Sequence, residues 1–390
     1  MKMNKKALAI LSAGHLVTDL NQGALPALLP FFKEALQLSY TTAGMILLFG
    51  NISSSVIQPA FGYLSDKKPQ RWFLPVTPLI ACLGMAISGF IHNYLLLLAV
   101  VVVTGIGIAS FHPEAYKTAY AFTGDKKATG MSIFSVGGNL GMGLGPIFAV
   151  SLVTHLGLPG TLWMIVPGIL MSGALLLLIS WFSPPDHLTH LQPGAEEKHH
   201  LARADKISLV LLACTVIFRT WTQLGLVTYI PFYYINYLKG DPVYAGMLTS
   251  TFLIAGAVGT LIGAPLADRW GHRNYLALTL LLPSPLLLLF YNSAGIASFL
   301  ILTLTGMIMI STFSVTIVMS QTLLPRYLGM ASGLMVGFAV GTGGVGVTLL
   351  GTIADRWGVP VAMNAILILP LIGFVLTLLI KYPPKKQEIG

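Results

Sequence analysis

A chain of 390 residues that is 55% apolar and 9% charged lies far from the roughly 25% charged residues of a soluble domain, and this excludes a water-soluble globule. Its formal charge of +9 invites a nucleic-acid reading, but the basic residues are scattered in short segments between apolar runs and form no single stripe. No nucleic-acid partner is expected, and no large soluble domain fits beside the apolar runs.

A transmembrane helix needs about 20 predominantly apolar residues. Twelve candidates follow in chain order: 7–30, 40–64, 72–91, 94–118, 129–155, 160–182, 207–235, 243–265, 274–292, 296–322, 328–353 and 359–380. The first follows Lys2, Lys5 and Lys6, as a signal peptide would, but it has no small-residue cleavage site and contains Asp19. It is read as a span. Cys82 and Cys214 fall inside apolar runs, so they are read as inert buried thiols and imply no disulfide framework.

With the N-terminus inside, the cytoplasmic segments receive 18 of the 22 Lys and Arg residues; the outer loops receive only Lys33, Lys239 and Arg356. Excess Lys and Arg mark the cytoplasmic side, so both termini are predicted to be cytoplasmic. The remaining basic residue, Arg219, lies inside a span. Of the 13 acidic residues only Asp19 and Glu114 do so, accompanied by His15 and His112.

The polar stretch 183–206 divides the spans six and six. The expected organisation is a bundle over 1–182, a cytoplasmic linker over 183–206 and a second bundle over 207–390. The halves echo each other at an offset of about 200 residues: Pro30-Phe31-Phe32 with Pro231-Phe232-Tyr233, Gly62 to Asp66 with Ala264 to Asp268, and Gly157-Leu-Pro159 with Gly358-Val-Pro360. Duplicated halves rocking about a midplane site are a common secondary-transporter architecture.

GYLSDKKPQR (Gly62 to Arg71) resembles the cytoplasmic loop signature of the major facilitator superfamily, and APLADRWGHR (Ala264 to Arg273) is similar to its second copy. Asp66, Lys67, Asp268 and Arg269 match the pattern; Arg71 lies one place late and Pro69 replaces a glycine. Gly141 to Pro146 resembles the front of the family's antiporter signature, without its trailing glycine pair. HLVTDLNQGALPALLPFF (His15 to Phe32), FHPEA (Phe111 to Ala115) and SVGGNLGMGLGP (Ser135 to Pro146) resemble the fosmidomycin-resistance exporters. The resemblance implies an all-α integral membrane protein with twelve transmembrane helices in two pseudo-symmetric six-helix halves. It also implies that Asp66 and Asp268, with Lys67, Arg71 and Arg269, gate the cytoplasmic side.

Intramembrane charges cost about 2.5–3.5 kcal/mol on insertion scales and usually face a cavity or a partner. Asp19 is expected near mid-membrane, with His15 and Gln22 on its face by i, i+4, i+7 spacing from His15. It is read as a protonatable carboxylate or, alternatively, half of a structural ion pair with Arg219. Arg219 lies at similar depth beside Thr220, the repeat equivalent of Asp19, and suits a bidentate grip on a phosphonate or carboxylate. Competition between Asp19 and an anion for Arg219 is the expected coupling mechanism. Glu114, after Pro113 and on one face with Ser110 and Lys117, is read as a proton relay toward the cytoplasm or as a bridge to Lys117 or a loop Arg. His112 and His15 are either proton carriers or hydrogen-bonded structural residues. Asn21, Gln22, Asn139, Gln223 and Lys117 are candidate substrate contacts. Gly137, Gly138, Gly141, Gly143, Gly145 and Pro146 are expected to let the fifth span approach the eighth closely.

No Walker loop, HExxH or paired Cys-x-x-Cys occurs, so an enzyme is not expected; neither is a metal, nor any cofactor beyond a proton gradient. The reading is a monomeric transporter of the bacterial inner membrane that exports a small anionic or zwitterionic antimicrobial in exchange for protons. The phosphonate specificity comes from the resemblance alone. The alternative is a proton symporter or uniporter importing a small organic anion.

Overall fold

A computed structural model describes residues 3–67, 70–124, 127–182, 203–323, 334–339 and 341–382. Every regular element among them is helical, as lipid requires of a chain that must satisfy its backbone hydrogen bonds internally. The first half contains α1 (Lys5–Ala35), α2 (Tyr40–Asn51), α3 (Gln58–Lys67), α4 (Phe73–Ser88), α5 (Tyr94–Phe122), α6 (Lys127–Leu156) and α7 (Ile165–Leu177). The second contains α8 (Arg203–Pro231), α9 (Pro242–Trp270), α10 (His272–Leu281), α11 (Pro283–Tyr291), α12 (Ile296–Ile310), α13 (Thr312–Leu323), α14 (Gly343–Trp357) and α15 (Val359–Leu379).

Several predicted spans are composite. The second is α2 and α3 joined through a π-helical turn, Ile52–Val56. Pro59, which follows in α3, has no N–H to return to the carbonyl of Ser55, and this accounts for the broken ladder there. The sixth span starts as a 3₁₀ turn, Leu158–Met164, and the seventh ends in a π turn, Phe232–Tyr237. The ninth divides at Pro283 and the tenth at Ser311. The eleventh joins the π turn Leu334–Ala339 to α14, and its start at 328–333 lies outside the described residues, as does linker segment 183–202. The first span is longer than predicted at both ends, and Asn4 caps its start, accepting from Ala7 N at 3.1 Å. Gly157 (φ +70°) and Gly358 (φ +87°) break the chain at equivalent places, each followed two residues later by proline. A non-glycine residue is disfavoured at such positive φ, so these glycines mark the duplication in the backbone itself.

Packing is asymmetric between the two ends of the bundle. At the end carrying the basic loops, each half has its own core: Leu8, Leu11, Phe111 and Phe134 in the first, and Leu212, Val216, Leu276 and Met319 in the second. At the opposite end one cluster runs through both halves, joining Leu28, Phe32 and Leu47 to Leu226, Phe232, Val347 and Leu350. Two seams hold that joint. Along the α2–α14 seam, a Cβ on Gly344 would lie 2.3 Å from Leu48 Cα, and one on Gly351 would lie 2.7 Å from Thr41 Cα. Along the α6–α9 seam, Ile147 N donates to Ser250 Oγ at 3.1 Å.

Candidate functional site

Asp19, buried on α1, is held between two imidazoles. His15 is one helical turn earlier, and its Nε2 lies 3.2 Å from Asp19 Oδ2. His112 reaches across from α5, with Nε2 3.0 Å from Oδ1. Each carboxylate oxygen thus has its own imidazole. The His15 ring stacks on Phe134 of α6 at 4.4 Å, and Tyr116 stands edge-on to it at 5.8 Å. Space for this arrangement comes from Gly138: a Cβ there would lie 2.4 Å from His15 Nε2 and 2.7 Å from Asp19 Oδ2.

Hydrogen-bond valence fixes where the protons are. His15 Nδ1 lies 3.1 Å from the carbonyl of Phe134, which only accepts, so that nitrogen carries a hydrogen. The contact from His15 Nε2 to Asp19 Oδ2 then requires one further proton, residing on either the nitrogen or the oxygen. His112 has the reverse pattern. Gln58 Nε2 donates to the Ser54 carbonyl at 2.7 Å, which identifies that atom as nitrogen, and donates its second hydrogen to His112 Nδ1 at 3.2 Å. His112 Nδ1 is therefore bare, and its Nε2–H donates to Asp19 Oδ1. The group holds one proton shared between Asp19 and His15, and its net charge is zero.

His15, Asp19 and His112 also place three donor atoms within 4.8 Å of one another, a set chemically suited to a first-row divalent ion. The fit fails at His112, which presents a hydrogen and not a lone pair to the centre while Gln58 occupies its other nitrogen.

Arg219 is among the most deeply buried side chains, on α8 in the other half. Among the described residues its Nε and Nη1 have no hydrogen-bond partner, and its guanidinium carbon sits 6.0 Å from the Phe313 ring centroid. The expected pairing with Asp19 is not made: the two imidazoles already occupy both carboxylate oxygens, and Arg219 has no ion-pair partner among the described residues. Direct competition for Arg219 between Asp19 and an anion is accordingly not the resting geometry. Gln223, one turn further along α8, is half-buried, as is Gln22 one turn past Asp19, so both accompany a charged residue on its own helix face. Asn139 is exposed.

Two other expected substrate contacts are located elsewhere. Asn21 is fully buried and donates to the Val17 carbonyl at 3.0 Å and to Cys82 Sγ of α4 at 3.1 Å. Two residues past Asp19 it points about 200° around the helix, toward α4. Lys117 donates from Nζ to the Ser65 carbonyl at 2.8 Å, which ties it to the end of α3. Glu114 belongs to the same knot: its Oε2 accepts from Ser65 Oγ and from Gln70 N at 3.2 Å. These contacts anchor the 65–70 connection.

Of the expected gate residues, Asp66 and Lys67 are in α3 with side chains outside the described set, and Arg71 is half-buried at the head of α4. Asp268 is exposed and pairs with His272 of its own half at 3.1 Å, with Arg269 exposed beside it. A helix end capped across the two halves is found at the opposite end, where Asp355 accepts from Tyr40 N at 2.7 Å and Thr41 N at 2.9 Å. Its signal was present in the sequence: Ala267-Asp-Arg-Trp-Gly271 and Ala354-Asp-Arg-Trp-Gly358 are identical pentapeptides. Gln58 and Phe134 were also not anticipated, because their roles depend on contacts between helices distant in sequence.

The glycines of α6 pack differently from expectation. Cβ atoms on Gly137, Gly141 and Gly145 would strike the backbone of α1 at Ser12, Leu16 and Leu20. Only Gly143 among them faces α9, at Ile254; Pro146 is buried near Gly246 of α9. The glycines occupy the face turned to α1, and the fifth span is therefore bound first to its own half.

The sequence profile of the Major Facilitator Superfamily matches residues 11–241 and 212–390. An uncharacterized MFS-type transporter of Bacillus subtilis, YfnC, is 32% identical over 386 residues, covering 98% of this chain and 93% of that protein. The fosmidomycin resistance protein of Escherichia coli is 30% identical over 369 residues, covering 94% and 91% respectively. Among solved structures, a bacterial homolog of the human lysosomal transporter Spinster, in an inward-facing and occupied conformation, superposes with a TM-score of 0.76 at 15% identity, covering 96% of each chain. The nucleoside transporter NupG superposes with a TM-score of 0.75 at 13% identity, covering 96% of this chain and 100% of the other.

Proposed function

The chain belongs to the Major Facilitator Superfamily, and from that premise we propose that it is a proton-coupled antiporter exporting a small organic anion of the fosmidomycin class. The observation that carries this reading is the segregation of the buried charges. Both carboxylate oxygens of Asp19 contact an imidazole, with one proton shared with His15, while the guanidinium of Arg219 is buried with two nitrogens unsatisfied among the described residues. A buried cation without a partner is costly, and an anionic substrate relieves that cost. Planar, always-ionised guanidinium suits the two oxygens of a phosphonate or carboxylate. The relative named for fosmidomycin resistance supports that ligand class.

By the excess of Lys and Arg, the end carrying the basic loops faces the cytoplasm, in a bacterial inner membrane. The separate cores at that end and the joint core at the other support a state open to the cytoplasm. An anion entering there meets Arg219; the halves then rock, and the anion leaves on the far side. The return is coupled to protons through the His15–Asp19–His112 group. Its charge passes between zero and +1 when a second proton arrives, which changes the field that an anion at Arg219 experiences.

Reconstituted vesicles test the reading. In inside-out vesicles with an acidic lumen, an antiporter accumulates fosmidomycin as protons leave. Accumulation driven by an alkaline lumen indicates symport, and indifference to the gradient removes proton coupling altogether.

A further inference from the structure

Gln58 has no expected role in the sequence and touches neither Asp19 nor Arg219, yet it sets the protonation state of His112. Its amide donates one hydrogen to the Ser54 carbonyl and the other to His112 Nδ1. While that bond persists Nδ1 is unprotonated, and a second proton cannot bind His112. Gln58 is also the first residue of α3, separated from the π turn Ile52–Val56 by Ile57 alone. That turn abuts the second half: a Cβ on Gly341 would lie 3.1 Å from Val56 Cγ2 and 3.8 Å from Ser55 Cβ. One side chain therefore links a helix break at the boundary between the halves to the imidazole that orients Asp19.

From this we infer that Gln58 is a positioning residue that couples the placement of the second span to proton uptake at His112. The inference rests on the proton-coupling reading above and assigns the coupling to a specific contact. In the conformation described here Gln58 holds His112 as the neutral Nε2–H tautomer. Movement of the π turn against the second half withdraws the amide and uncovers Nδ1. A proton from water then binds that nitrogen, and His112 becomes an imidazolium whose Nε2–H still contacts Asp19. No bond other than hydrogen bonds changes; the group gains one proton and one unit of positive charge. The other titratable groups facing His112 are Asp19 and His15 on α1 and Tyr116 on its own helix. None of them contacts Nδ1.

Two substitutions test it with opposite chemistry. Gln58→Met keeps the volume and removes the donor, and Gln58→Glu replaces the donor with an acceptor for a protonated His112. Both favour the imidazolium, so the pH profile of gradient-driven transport is expected to move to higher pH, by about one unit for Met and further for Glu. Substrate counterflow, which moves no net protons, reports folding of each variant separately. An unmoved profile in variants active in counterflow overturns the inference. Nitrogen NMR of ¹⁵N-histidine-labelled wild-type protein gives a further reading: the His112 signal, assigned by its loss in His112→Gln, is expected to show bare Nδ1 and protonated Nε2, and the opposite tautomer overturns the inference. Asp19→Asn keeps the two claims apart. If that variant still responds to a pH gradient, the proton-coupling reading fails; if it does not respond while the Gln58 variants keep the wild-type profile, only the role of Gln58 fails.

Discussion

Asp355 at the end of α14 caps the start of α2 in the opposite half, accepting from Thr41 N at 2.9 Å and from the Thr41 hydroxyl. With Tyr40 N at 2.7 Å, a single carboxylate satisfies two of the N–H groups that every helix start leaves without an intrahelical partner. On the orientation proposed above, this contact closes the outer side.

Asp355→Asn is expected to loosen that closure. An N-cap contact is worth about 1 kcal/mol, or roughly a fivefold shift in population. Spin-label distances between α2 and α14 should show a larger outward-open fraction in the variant, and an unchanged distribution removes Asp355 from the closure.

The same contact responds to acid. Partial burial alone would raise the Asp355 carboxyl, but hydrogen bonds from the Thr41 hydroxyl, Thr41 N and Tyr40 N outweigh it and hold the pKa below its ordinary value of 3.8. A depressed value means the closure is complete above 3.8 and is lost as external pH falls through the lower, capped value. Lys33 lies over the Tyr40 ring at 4.4 Å, and Arg356 is adjacent in sequence. Distances measured in wild type should lengthen in strong acid, and Asp355→Asn should not respond.

Arg219→Met is expected to separate stability from function. Removing a buried, unsatisfied guanidinium relieves desolvation, so Tm should rise by about 2 °C or more. Anion affinity should fall roughly tenfold to a hundredfold, the scale of a charge-assisted hydrogen bond. Calorimetric titration with fosmidomycin and a thermal melt on the same sample measure both. Unchanged affinity removes Arg219 from the binding site.

Gly138→Ala forces a Cβ against His15 Nε2 and Asp19 Oδ2. Overpacking of this kind costs about 1–3 kcal/mol, and the least constrained response is for the His15–Asp19 contact to open. Gradient-driven transport should be lost while the protein still binds the anion; retained coupling shows that the shared proton does not depend on that contact.

How much of this was legible in the sequence differs by element. Twelve apolar runs and their basic flanks gave the architecture, because lipid imposes length and charge rules that need no tertiary information. The i, i+4 pair His15 and Asp19 was readable for the same local reason. The pairing of Asp19 with His112, 93 residues on, was not, and neither were the contacts of Glu114 with Ser65 and Gln70, which Pro113, helical depth and the shared face with Ser110 and Lys117 do not specify. Arg219 was correctly singled out as a buried charge but wrongly given Asp19 as a resting partner, since the repeat aligns positions without fixing side-chain bonds. Gln58 left no trace in composition or spacing; its part depends on a helix that breaks just before it.

Finally, the single apolar cluster joining the halves has a thermal signature. Opening the far side must wet part of the surface shared by Phe32, Leu47, Phe232 and Val347. Newly hydrated hydrocarbon carries a positive heat-capacity change. The outward swing should therefore follow a bent rather than a straight Arrhenius line, and turnover in cold cells should be limited by a different half of the cycle than in warm ones.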